Sequence, residues 1–248
     1  IGVAKFDILT GEEIGRFPEI KNEGPISLSF SPDGKYLAGG SYYGRIFVWD
    51  TETEVETEIQ DLGSMPGLEG LNAIFDIEFS PDGTKLAVAA RKKGVIIYET
   101  GTWKILKHKE EVYFNAPYGD EPVTYNHVSF RYDSKVLALG RYNAPTGVEL
   151  YDIEKDTVYK TYQPAEDGEF SKTRNELVIE KLKWNEGWIY DCLNYFRFDI
   201  SEEPIIQNFA TQKRRLSDDG NYLLLYESIN CVPIISTDDF LVKHTFNL

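Results

Sequence analysis

Short runs of alternating apolar and polar residues, broken by tight-turn tetrads, dominate this chain. Ile26, Leu28 and Phe30 alternate with Ser27 and Ser29, the period of two expected of a β-strand. Ser31-Pro32-Asp33-Gly34 follows. Proline presets φ, aspartate bonds the local backbone and glycine accepts positive φ, so the chain turns sharply there. Tyr36 to Gly40 predicts a second strand, whose small Ala38, Gly39 and Gly40 would admit a neighbouring sheet at close range. Ile46 to Trp49 is apolar throughout and predicts a third strand buried on both faces. Thr51 to Glu54 turns again, and Val55 to Ile59 reads as an amphipathic outer strand. The unit is a four-stranded antiparallel meander, and no segment of helical period competes with it.

The meander recurs. Copies open at Phe30, Phe79, Phe130, Phe170 and Leu216, at intervals of 49, 51, 40 and 46 residues. One small meander cannot bury both of its faces, and four-stranded repeats of this length solve the problem by packing blade on blade. The expected fold is therefore all-β, a β-propeller of four-stranded antiparallel blades. Residues 1–248 are expected to form a single propeller domain, with a partial blade over 1–20 and blades over 21–60, 70–108, 123–163, 167–210 and 211–248. The first segment, GVAKFDILTGEEIGRF, aligns only with the third and fourth strands of a copy. The expectation is that residues upstream of Ile1 complete a ring of six or seven blades, because an unpaired blade edge invites pairing.

The repeated SPDG-type turns and the closing Trp49-Asp50 resemble the WD40-like β-propeller family. Tyr98-Glu99, Tyr151-Asp152, Phe198-Asp199 and Phe6-Asp7 echo that closing pair. The resemblance runs over essentially the whole chain, in divergent form. The family's Gly-His pair before each blade is absent, and its Asp before the third strand is Tyr43 in one copy and Lys93 in the next.

Charge and chemistry narrow the function. Lys plus Arg number 26 against 41 Asp plus Glu, a net charge of −15, which opposes docking on a phosphate backbone and argues against nucleic acid as a partner. Arg91-Lys92-Lys93 and Lys213-Arg214-Arg215 read as solvated turns on an acidic surface. No stretch approaches the apolar length of a membrane span and no leader is visible, so a cytoplasmic location without membrane attachment is expected. Cys192 and Cys231 occupy similar positions in adjacent copies, too far apart to form a disulfide. His108, His127 and His244 lack a second ligand at metal spacing and read as surface histidines. No nucleophile elbow or phosphate-binding loop is present. Asp76 and Glu78 alternate on a strand and read as solvated carboxylates, although propeller enzymes place such groups around a metal on their axis.

Loop lengths differ most between the second and third strands and between one copy and the next, the connections that share one end of a blade. Leu62 to Asn72 and Tyr113 to Asn126 are the longest linkers. Loops on a rigid scaffold are where binding is usually placed. That end would display Tyr42, Tyr43, Arg91, Lys92, Arg141, Tyr142, Trp184 and Trp188, residue types that anchor interfaces, set against the plainer reading that they cover blade edges. The leading reading is a non-enzymatic scaffold or sensor module that binds a protein or peptide partner without cofactor or metal, within a larger multidomain chain. The alternatives are a propeller hydrolase or lactonase with a metal in its central channel, and a structural unit that positions neighbouring domains.

Overall fold

The computed structural model describes residues 3–6, 13–18, 24–62, 72–110, 113–116, 119–122, 124–142, 147–163, 167–170, 172, 176–181, 194–199, 205–208, 214–216, 222–225, 231–236 and 242–247. Cys192, Trp184 and Trp188 lie outside them. The chain is all-β: among the described residues there is no helix, and so none long and apolar enough to cross a membrane. It divides into two compact units, Ile1–Asn126 and His127–Leu248.

The first unit opens with a two-stranded sheet, β1 (Ala4–Phe6) paired antiparallel with β2 (Glu13–Arg16). Two meanders follow. Sheet A orders β3 (Pro25–Phe30), β4 (Tyr36–Ser41), β5 (Arg45–Asp50) and β6 (Glu56–Asp61); sheet B orders β7 (Ile74–Phe79), β8 (Lys85–Ala90), β9 (Gly94–Glu99) and β10 (Ile105–Lys109). The linker expected over Tyr113 to Asn126 instead holds a hairpin, β11 (Tyr113–Ala116) with β12 (Gly119–Pro122). The second unit holds most of β13 (Thr124–Phe130), the first strand of a sheet ordered β13, β14 (Val136–Tyr142), β15 (Gly147–Asp152) and β16 (Thr157–Tyr162). Two more four-stranded sheets follow, β17 (Asp167–Phe170) to β20 (Ile205–Asn208) and β21 (Arg214–Leu216) to β24 (Val242–Asn247). Between them run β18 (Glu176–Lys181), β19 (Asn194–Asp199), β22 (Tyr222–Leu225) and β23 (Cys231–Ser236). Every four-stranded sheet follows chain order, the topology of a propeller blade.

Local chemistry explains the repeat. In the first turn of sheet A, Ser31 Oγ donates to Asp33 Oδ1 at 2.6 Å and accepts the Tyr36 amide at 2.8 Å. Asp33 also takes the Lys35 amide, and Gly34 sits at φ 72°. Sheet B repeats these contacts with Ser80, Asp82, Lys85 and Gly83. In the next copy Arg131 replaces the serine and grips Asp133 with two guanidinium nitrogens, while Ser134 takes the left-handed position at φ 58°. The closing acid acts at the opposite turn. Asp50 Oδ1 accepts the amides of Glu52 and Thr53, and Asp152 Oδ1 accepts that of Lys155. Glu54, Trp103 and Asp156 then take positive φ four residues after their closing acids.

Packing between sheets A and B uses the small residues. A Cβ on Gly40 would lie 2.2 Å from Ile74 Cγ2, so only glycine lets β7 rest on β4. Ala38, Ile46 and Val48 of sheet A join Ile77, Phe79, Leu86 and Val88 of sheet B in one core. On the other side of sheet A, Phe17 packs with Leu37, Phe47 and Trp49. Burial of such side chains contributes about 1.5–3 kcal/mol each. Trp49 Nε1 is buried and has no hydrogen-bond acceptor among the described residues. In the second unit Val136, Val148 and Leu150 pack on Phe170, Leu177 and Ile179.

Candidate functional site

Two turns at one end of the first unit carry half of the residues expected at the binding face. Between β4 and β5, Ser41 Oγ accepts the Tyr43 amide at 3.2 Å and the Arg45 amide at 3.1 Å, while Gly44 turns the chain at φ 89°. Tyr42 and Tyr43 are thereby held outward and exposed, their rings edge to face with centroids 5.7 Å apart. The linker to sheet B braces this turn. The Leu62 amide donates to Gly44 O at 3.0 Å, and Asn72 Nδ2 donates to Leu62 O at 3.1 Å. A Cβ on Gly44 would lie 2.9 Å from the Asn72 carbonyl oxygen, so the turn and the linker are in van der Waals contact.

The same linker reaches the second turn. Ala73 O accepts the Arg91 amide at 2.9 Å, Lys93 N donates to Ala90 O at 3.1 Å, and Lys92 takes φ 60°. Lys92 and Lys93 are exposed and Arg91 is half-buried. His108, on the outer strand, places Nε2 2.6 Å from Lys93 O and holds the far side of this turn. Two tyrosines and a basic turn thus share one end through hydrogen bonds that run from Gly44 by way of Leu62, Asn72 and Ala73 to Arg91.

The remaining expected residues fall elsewhere. Arg141 lies within β14 with its side chain almost buried, and its Nη1 is 3.0 Å from Glu149 Oε1 on β15. Gly147 leaves room for that guanidinium, since a Cβ there would come within 2.9 Å of Nη2. Arg141 is therefore consumed by a buried ion pair instead of being displayed. Tyr142 ends the same strand. Trp184 and Trp188 lie outside the described residues.

Aligning the first strands on Phe30, Phe79, Phe130 and Phe170 reveals a row of polar positions that the sequence reading assigned to solvent. Asp76, Glu78 and His127 are in fact buried. Asp76 Oδ1 accepts from Ser27 Oγ at 3.0 Å and from its neighbour's Ile77 amide, also at 3.0 Å. Ser29 Oγ accepts the Phe79 amide at 3.1 Å, and in the second unit Ser129 Oγ accepts the Phe170 amide at 2.9 Å. Ser29 and Ser129 hold the same repeat position, and so do Phe79 and Phe170. The contact is a recurring hydroxyl-to-amide link between adjacent sheets. Lys172 Nζ adds a bond to Ser129 Oγ at 3.2 Å, and His127 Nε2 lies 3.2 Å from Glu169 Oε2. Buried polar groups need such partners, and strand alternation alone could not tell a sheet junction from water. No three His, Cys, Asp or Glu side chains converge as a metal site among the described residues.

Comparison with known proteins agrees with the geometry. The family model for the WD domain, G-beta repeat, matches residues 16–50, from the end of β2 to the end of β5. That stretch runs from one outer strand through three strands of the next sheet and closes on Trp49-Asp50. No curated protein matches the chain significantly.

Proposed function

From a chain that carries a WD40 repeat at residues 16–50, a repeat of the protein-interaction scaffold type, we propose a non-enzymatic scaffold that binds a protein or peptide partner. The proposed contact is the end of the first unit that displays Tyr42, Tyr43, Arg91 and Lys92. The observation that carries this reading is the braced Ser41–Arg45 turn, which presents two edge-to-face tyrosines in a fixed arrangement. Rigid aromatics lose little conformational freedom on binding, and tyrosine and arginine are enriched among residues that dominate interface energies. Lys92 and Lys93 beside them suit a partner segment that places an acidic residue next to its apolar anchor.

The test is photo-crosslinking from position 92 in extracts of the source cell, comparing the parent chain with a Tyr42→Ala/Tyr43→Ala variant. Loss of one anchor worth about 2 kcal/mol corresponds to roughly 30-fold weaker binding. A defined crosslinked partner should therefore disappear in the variant while its urea unfolding midpoint stays unchanged. Equal crosslinking by both proteins would overturn the assignment.

A further inference from the structure

The first turns of sheets A and B carry a chemical liability along with their shape. Such a turn needs glycine for its positive φ and aspartate for its bonds to the local backbone. That order sets a carboxyl carbon beside an amide nitrogen that no side chain shields. In an unrestrained Asp-Gly pair the glycine nitrogen attacks the aspartate Cγ. The new N–Cγ bond closes a five-membered succinimide, and the amide proton leaves with the carboxyl hydroxyl as water. Water then adds to either ring carbonyl. Opening at the main-chain carbonyl leaves a β-linked isoaspartate, with no change of oxidation state.

Both reacting groups are occupied in these turns. Gly34 N donates to Ser31 O and Gly83 N to Ser80 O, each at 2.8 Å. The hydroxyls of the same two serines, both buried, donate to Asp33 Oδ1 and Asp82 Oδ1, each at 2.6 Å. Ring closure expels hydroxyl only from a protonated carboxyl, whereas these bonds favour the carboxylate. The two anchors differ in strength. Asp33 Oδ1 also takes the Lys35 amide at 3.0 Å. Asp82 Oδ1 takes the Thr84 amide at 2.9 Å and the Thr84 hydroxyl at 2.7 Å, and Lys85 Nζ lies 3.5 Å from its Oδ2. In the third copy Arg131 stands at the serine position and Ser134 at the glycine position. The copy without that serine thus lacks the reactive glycine as well.

We propose that Asp33-Gly34 and Asp82-Gly83 are latent self-modification sites that the Ser31 and Ser80 hydroxyls keep closed, with Asp33 the first to convert to isoaspartate. The additional backbone carbon at residue 33 lengthens the turn between β3 and β4 and draws Ser31 Oγ away from the Tyr36 amide that it now accepts.

The test incubates the 248-residue chain at physiological temperature and neutral pH, then reads isoaspartate at residues 33 and 82 by proteolysis and fragmentation mass spectrometry. Both sites should convert more slowly in the folded chain than in urea, and residue 33 faster than residue 82. Ser31→Ala should raise conversion at residue 33 about tenfold, the factor for one lost hydrogen bond to a charged group, and leave residue 82 unchanged. Ser80→Ala should do the reverse. Each site is the internal reference for the other, because a variant that merely unfolds accelerates both. Four results would overturn the proposal: equal rates in the folded chain and in urea, faster conversion at residue 82, no acceleration in Ser31→Ala, or acceleration of both sites alike.

Discussion

β3 and β7 have nearly the same pattern and opposite surroundings. PISLSF and IFDIEF both lead an antiparallel meander, both end in Phe before Ser-Pro-Asp-Gly, and both pair with a second strand in the same register. Phe30 is nevertheless 60% exposed where Phe79 is 3% exposed, and Leu28 is 42% exposed where Ile77 is wholly buried. The two strands share their register and the turn that follows them. They differ in what lies against them: β3 and β4 cover β7, whereas among the described residues no strands of those positions lie against β3. A blade forms from its own sequence, but its burial belongs to its neighbour.

The largest contrast should come from truncating the paired phenylalanines. Phe79→Ala removes a buried ring and should cost about 3–5 kcal/mol, whereas Phe30→Ala should cost under about 1 kcal/mol, each read from urea unfolding. Equal losses would show that Phe30 is covered and would break the comparison. Next comes the junction itself. Gly40→Ala forces a methyl against Ile74 and should cost about 1–3 kcal/mol through overpacking. Gly34→Ala meets no atom within 4 Å and should cost only about 1 kcal/mol, through its positive φ. Ser29→Ala strips the Phe79 amide of its acceptor, with an expected loss of about 1–2 kcal/mol and faster hydrogen exchange at that amide. If exchange were unchanged, the hydroxyl link would not hold the two sheets together.

The smallest effect separates the two SPDG turns by pH. Burial works against the Asp82 carboxylate, but hydrogen bonds from the Ser80 hydroxyl and from the Thr84 amide and hydroxyl, with Lys85 nearby, bring its pKa down to about 2. A folded pKa below the unfolded one stabilises the fold above the unfolded value near 3.8, and this contribution is lost as pH falls toward 2. The group is partly exposed, so solvent screening limits the contribution to about 1 kcal/mol. Asp33 is lowered in the same direction by Ser31 and the Lys35 amide, from a fully exposed position. Acid titration of stability should therefore flatten between pH 4 and 2 more in Asp82→Asn than in Asp33→Asn. The reverse order would show that burial does not distinguish the turns.

Much of this was legible in the sequence because turns and strands obey local rules. Ser-Pro-Asp-Gly carries its own hydrogen-bond donors and acceptors, and the closing acids of β5 and β15 cap the amides just after them. The candidate site was legible in part. Tyr42 and Tyr43 stand exposed on a short turn, as a loop between second and third strands implies. Arg141 shows the limit, since nothing local announces that Glu149 waits across the sheet. Asp76 and His127 show it again: polar residues on an alternating strand point to water or to another sheet with equal local sense. The β11–β12 hairpin lay within a stretch whose turn residues, Asn115-Ala116-Pro117-Tyr118-Gly119, were read only as a linker.

The amino-acid sequence alone settled the strands of the repeated unit, their turns, their grouping in fours and the recurrence of the group. Those features depend on φ preferences, side-chain period and hydrogen bonds spanning a few residues. Tertiary structure alone decided which faces of equivalent strands are dry and which carboxylates are buried beside hydroxyls. Each of these depends on what another segment brings within a few ångströms, and a strand's own pattern reads the same with or without that neighbour.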